Sequence, residues 1–202
     1  MSAGCFRSHK KTLPLIGMSL VFSSGGRQKT RKNKSTKGAS RTQTLKIQHH
    51  HFLLRMETKK CPGKDQKSDA KALVKRILKD IDMKLLGDPR VFYVEVPHYN
   101  EGLTALAPIQ TSHIAFHFWK NPDSSILQNK ESQCLLQFDL YTCGTLSLKQ
   151  LQRILHHLTV YQPTHVNASL LNRNYDMTLE RQLLWDCDRG RWAEWVDGIT
   201  SM

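Results

Sequence analysis

The sequence predicts an α+β fold: a two-layer sandwich of an antiparallel sheet with helices on one face. Three observations carry this. Several stretches alternate apolar and polar residues with period two and follow one another in hairpin order. Two amphipathic stretches with helical spacing interrupt them. The charge excess of the chain is confined to one end, leaving a nearly neutral remainder that can pack. Of 30 Lys and Arg, ten fall in residues 1–44, which hold no acid, so residues 45–202 carry a net charge of only +3.

Residues 1–44 are basic, rich in Ser and Thr and poor in aromatics, and such a segment cannot bury enough apolar surface to offset its ordering entropy. They are read as a disordered arm or leader, and the folded domain as residues 45–202. Three roles stay open for the arm: a transit peptide, a translated leader without function, or unspecific contact with polyanions such as nucleic acid. Its apolar run from Leu13 to Phe22 is broken by Gly17 and Ser19 and is too short to span a bilayer, so no membrane partner is expected.

LKIQHHHFLLRME (45–57) alternates as a strand, with Phe52, Leu54 and Met56 on one face. Its triplet His49, His50, His51 places at most two imidazoles on a side, and no second ligand cluster lies near in sequence, so no metal site is expected. SDAKALVKRILKDIDMKLLG (68–87) reads as a helix. Ser68 is its N-cap, Leu73, Ile77, Leu78, Ile81 and Leu85 form its stripe, and Gly87 with Pro89 stops it. RVFYVEV (90–96) is a strand, PHYNEG a turn, and TALAPIQ (104–110) short and apolar.

SHIAFHFW (112–119) again has period two. Ile114, Phe116 and Phe118 make a core face; His113, Ala115, His117 and Trp119 make the other, an unusual set for solvent. CLLQFDLYT (134–142) is the next strand, SLKQLQRILHHL (147–158) a helix capped by Ser147, and THVNASLLN (164–172) a further strand. Residues 177–196 can add a third helix, whose Trp185, Trp192 and Trp195 pack back or meet a partner; the tail from about 175 is the least defined part. Five Cys without CxxC spacing speak against a disulfide framework and a structural zinc site, and predict free thiols in a reducing cytoplasm.

No GxSxG elbow, P-loop or GxGxxG is present, so serine hydrolases, nucleotide hydrolases and dinucleotide enzymes have no support. Taken singly, Ser112, His117 and Cys143 are satisfied core residues as readily as a site. Their order is more telling. NEGLTALAPIQTSHIAFHFW (100–119), followed by FDLYTCG (138–144), resembles the short prokaryotic form of S-adenosylmethionine decarboxylase, with its ESH-apolar-x-x-H-x-W strand and its D-[IL]-[FY]-T-C-G strand end. The likeness is strongest from Gly102 to Gly144 and extends loosely from Leu45 to Asn172.

That resemblance implies a self-processing zymogen. Ser112 would attack the carbonyl of Thr111, the chain would be cut between Thr111 and Ser112, and Ser112 would become a covalent pyruvoyl group that holds the substrate as a Schiff base. His117 and Thr104 match the residues that assist processing, Cys143 the proton donor, and Trp119 an aromatic position near the substrate. The chain departs from the pattern in three places. Thr111 stands where the family has Glu, Asn121 replaces a Glu that binds ribose hydroxyls, and His98, with Tyr99 beside it, takes an aromatic position. The expected activity is decarboxylation of S-adenosylmethionine for spermidine synthesis, by a homodimer. Two alternatives stay open: decarboxylation of a smaller amino acid such as ornithine or arginine, or a non-processing relative that acts as a regulatory partner.

Overall fold

The computed structural model describes residues 48–96, 101–174, 176–186 and 191–197. The basic arm, His98 and Tyr99 lie outside the described residues. Among the described residues, eight strands form one antiparallel sheet in the order β2-β3-β4-β5-β1-β6-β7-β8. The strands are β1 (His50–Thr58), β2 (Arg90–Val94), β3 (Gly102–Ile109), β4 (Ser112–Lys120), β5 (Cys134–Thr142), β6 (Pro163–Asn172), β7 (Thr178–Asp186) and β8 (Arg191–Asp197). Two helices, α1 (Lys67–Asp80) and α2 (Leu148–Leu158), complete the second layer.

Period two decides which sheet face is covered. Phe52, Leu54 and Met56 of β1, Ile114, Phe116 and Phe118 of β4, Leu136, Phe138 and Leu140 of β5 and Val166, Ala168 and Leu170 of β6 are buried. They share one core with Leu73, Val74, Ile77 and Leu78 of α1 and Leu151, Ile154, Leu155 and Leu158 of α2. Removing each large side chain from water stabilises the fold by about 1.5–3 kcal/mol. The α+β architecture with helices on one face is therefore the one observed.

α2 begins as expected. The Ser147 hydroxyl accepts from the Gln150 backbone N–H at 3.3 Å, and the Gln150 side chain accepts from the Ser147 N–H at 2.8 Å, a reciprocal capping box. α1 does not follow the sequence reading at either end. Its N-cap is Gln66, with no side-chain cap bond, and Ser68 lies inside the helix. It stops at Asp80 because Asp82 adopts φ 57°, with Met83 N–H donating to Leu78 O at 2.8 Å and Asp82 N–H to Lys79 O at 3.2 Å. This is a Schellman ending with Asp in place of the usual Gly. Leu85 accordingly leaves the helical stripe and bridges to Ile109 on β3.

Two further expectations are corrected. The described part of residues 177–196 forms strands in place of the expected helix: β7 pairs with β6 and β8 with β7, because LERQLLWD also alternates and its backbone groups find partners on the sheet edge. Cys61 and Cys134 are not free thiols; they form a disulfide whose Cα atoms are 5.6 Å apart. That pairing removes the ground on which a reducing cytoplasm was expected. No described helix is long and apolar enough to cross a membrane.

Candidate active site

β3 and β4 are joined by the two residues Gln110 and Thr111, with Ile109 opposite Ser112. Two-residue hairpins favour positive φ at their central residues, because only then does the turn match strand twist. Neither Gln110 nor Thr111 has it; the distortion falls on Ser112, at φ 150°. A non-glycine residue in such a conformation stores about 1–3 kcal/mol. The turn is held from two sides. Gln110 N–H donates to Lys84 O at 2.8 Å, and Cys143 N–H donates to the Thr111 carbonyl at 2.8 Å. Cys143 itself is exposed with a free thiol.

The Ser112 hydroxyl lies 3.2 Å from His113 Nδ1. A strained serine thus stands beside an imidazole, next to a carbonyl already polarised by a backbone N–H. This arrangement suits acyl transfer from nitrogen to oxygen within the chain.

The uncovered sheet face carries a second group. Thr104 on β3 is directly opposite His117 on β4, and the Thr104 hydroxyl and His117 Nδ1 are hydrogen-bonded. Burial lowers the pKa of His117, so the ring is neutral at pH 7, and its Nε2 is buried with no partner. The Trp119 ring centroid is 3.9 Å from that of His117. A cleft of about 550 Å³ opens here, its polar lining including Arg55, Thr104, His117, Gln137, Asp139 and Asn167. Asn121, with φ 48°, begins the connection to β5.

Comparison with protein families matches residues 50–174 to the model for S-adenosylmethionine decarboxylase. The chain belongs to the S-adenosylmethionine decarboxylase family. A crystal structure of the adenosylmethionine decarboxylase from Aquifex aeolicus VF5 is similar at 16% identity, covering 64% of this chain and 93% of that one, with a TM-score of 0.43. Comparison with curated proteins found no match. As a member, the chain is an adenosylmethionine decarboxylase-like carboxy-lyase.

The decarboxylase residues expected from sequence fall into two groups. Thr111, Ser112 and Cys143 meet at one end of β4 and β5. Thr104, His117 and Trp119 meet on the free face further along. Ser112 and His117 are five residues apart on one strand, about 17 Å at the usual rise, so within a protomer they do not touch. Sequence reasoning missed His113, Asp139, Tyr141 and His51. His51 Nε2 is 2.8 Å from Asp139 Oδ2, and His113 Nε2 is 3.2 Å from Asp139 Oδ1. Shared strand parity of His113, Asp139 and Tyr141 is visible in the sequence; the register that unites them with His51 is not. The triplet His49, His50, His51 diverges: His49 reaches Tyr141, His50 accepts from the Leu146 N–H, and His51 reaches Asp139.

Proposed function

We propose that this chain is a self-processing, pyruvoyl-dependent decarboxylase of S-adenosylmethionine that feeds spermidine synthesis and works as a homodimer. The observation that carries the reading is the Cys143 N–H on the Thr111 carbonyl, beside the strained Ser112. Attack of Ser112 Oγ on that carbonyl turns its oxygen into an oxyanion, and a donor already 2.8 Å away stabilises it without reorganisation. Breaking the Thr111–Ser112 peptide also relieves the φ 150° backbone, so ground-state strain lowers the barrier. The resulting ester loses the Ser112 α-proton and expels the Thr111 carboxylate, and hydrolysis of the enamine leaves the pyruvoyl terminus and ammonia.

Once formed, that group supplies the carbonyl that binds the substrate amine and takes up the electrons released with carbon dioxide. Cys143 carries the proton for the substrate carbon from an exposed position next to residue 112. Trp119 offers an aromatic face to adenine and the sulfonium cation.

The gap of about 17 Å between Ser112 and His117 supports the dimer. Two copies that pack their uncovered sheet faces together, antiparallel to one another, bring His117 and Thr104 of one protomer to the Ser112 end of its partner. The buried His117 Nε2 has no hydrogen-bond partner within the protomer, which leaves it for such a docking to satisfy. His98 and Tyr99 are assigned to the substrate pocket on the resemblance.

The purified chain tests this directly when incubated with carboxyl-labelled S-adenosylmethionine. Cleaved protein that releases carbon dioxide, with activity lost on borohydride treatment, is the expected outcome. Release from ornithine or arginine with none from S-adenosylmethionine would move the substrate, and an intact chain that releases nothing would refute the reading.

A further inference from the structure

Processing needs a base for the Ser112 hydroxyl, and within the protomer His117 is too far along β4 to provide it. We infer that His113, aligned by Asp139 and His51, is the catalytic base that takes the Ser112 hydroxyl proton in the first step of self-cleavage. The inference rests on the self-processing reading above.

Four contacts form one chain with a single consistent pattern of donors. Arg173 Nη1 lies 3.3 Å from His51 Nδ1, which it can reach only as a donor. His51 therefore carries its proton on Nε2, 2.8 Å from Asp139 Oδ2. The second oxygen, Oδ1, is buried with no hydrogen-bond partner and lies at ion-pair distance, 3.2 Å, from His113 Nε2, so it favours the tautomer with the proton there. That leaves His113 Nδ1 as an acceptor, 3.2 Å from Ser112 Oγ. The order hydroxyl, imidazole, carboxylate is that of a Ser-His-Asp triad, with the two ring nitrogens exchanged.

The surroundings hold this order in place. Tyr141 lies directly opposite both His113 and His51 in the register, with its ring centroid 5.9 Å and 5.6 Å from theirs. The Arg173 guanidinium caps that ring at 4.6 Å, and the Tyr141 hydroxyl is 2.7 Å from His49 Nδ1. From β3 the residue opposite His113 is Pro108, which brings no charge. Asp139 is thus the carboxylate set to stabilise an imidazolium at position 113. Asp139 and His51 act through His113 and are positioning residues.

The step balances within the protein. The Ser112 O–H proton passes to His113 Nδ1 as Oγ bonds to the Thr111 carbonyl carbon, whose oxygen takes the negative charge against the Cys143 N–H. Collapse breaks the bond from that carbon to Ser112 N, and the His113 proton moves to that nitrogen. An ester and a free amine result, with His113 neutral again. Removal of the Ser112 α-proton in the next step stays with the partner's His117.

The two steps separate chemically, because hydroxylamine cuts an ester and leaves a peptide intact. Full-length chain made by cell-free synthesis is followed on denaturing gels with and without hydroxylamine. For His113→Ala the expected result is processing slowed by about 100-fold or more, with the uncut chain resistant to hydroxylamine, and partial rescue by added imidazole. Asp139→Asn should slow processing about tenfold, with Asp139→Glu restoring much of the rate. His113→Ala cleaving at the wild-type rate, or stalling as a hydroxylamine-sensitive ester, would overturn the assignment of His113 alone. A wild-type chain that never cleaves would overturn the self-processing reading with it.

Discussion

Glu57 offers a perturbation whose size follows from the structure. It is fully buried, and its carboxylate accepts four hydrogen bonds. Oε1 receives Arg55 Nη1 and the Gln128 N–H, both at 2.8 Å; Oε2 receives the Asn129 N–H at 2.9 Å and the Ser132 hydroxyl at 3.1 Å. Three of these donors belong to the β4–β5 connection, which starts at Asn121 beside the site. In Glu57→Gln one oxygen becomes an NH2, which cannot accept. Turned toward Oε1 it meets two donors that have no alternative. Turned toward Oε2 it lets the Ser132 hydroxyl rotate but leaves the Asn129 N–H unsatisfied. The better orientation thus costs one buried donor, about 1–3 kcal/mol, and weakens the Arg55 bond by about 1 kcal/mol, for a total of about 2–4 kcal/mol. At 2–4 °C per kcal/mol for a domain near 150 residues, the melting temperature should fall by about 5–15 °C. The pH dependence is set by the same contacts. Burial would raise the Glu57 pKa, but the donors from Gln128, Arg55, Asn129 and Ser132 outweigh it and hold the pKa below 4.5. The stabilisation from the charge is therefore full above about pH 4.5 and is lost as pH falls through the lower folded value. Urea unfolding of both proteins from pH 7 to pH 3 should show the gap closing at the acid end. A difference below about 0.5 kcal/mol at pH 7, or a gap that does not shrink in acid, would refute this reasoning.

Other outcomes follow from single contacts. Cys143→Ala keeps the backbone N–H on the Thr111 carbonyl, so cleavage should proceed while release of carbon dioxide with correctly protonated product falls at least tenfold. Gly102→Ala would place a methyl group into the Phe118 carbonyl oxygen, so the β3–β4 hairpin must shift; we expect a loss of about 3 kcal/mol or more in urea unfolding and failure to process. The Cys61–Cys134 bridge closes a loop of 73 residues, and Cys61→Ser should cost about 4 kcal/mol relative to the oxidised protein and almost nothing relative to the reduced one.

Much of the sheet was legible because burial on one face imposes period two. β4, β5 and α2 carry that signal without conflict, since Ile114, Phe116 and Phe118, Leu136, Phe138 and Leu140, and the cap at Ser147 all agree with their neighbours. α1 ended early because Asp82 took the left-handed conformation usually left to Gly, so the stop lay where no glycine marks it. LERQLLWD was ambiguous in principle. Leu179 and Leu183 satisfy helical spacing and alternation alike, and only the partner strand β6 decides between them. The Cys61–Cys134 pair is distant in sequence and has no local signature. At the proposed site, the motif pointed to Ser112, His117 and Cys143. What it hid was the distance between Ser112 and His117 and the approach of His113, Asp139 and His51, because both depend on strand register.

The central claim is that Ser112 becomes a pyruvoyl terminus, and mass spectrometry of the purified full-length chain tests it most directly. The account predicts two fragments, of about 12 and 10 kDa from the position of the cut, the second beginning at residue 112 with the mass of pyruvoyl and no free amine. A single intact chain with an unmodified Ser112 would contradict it.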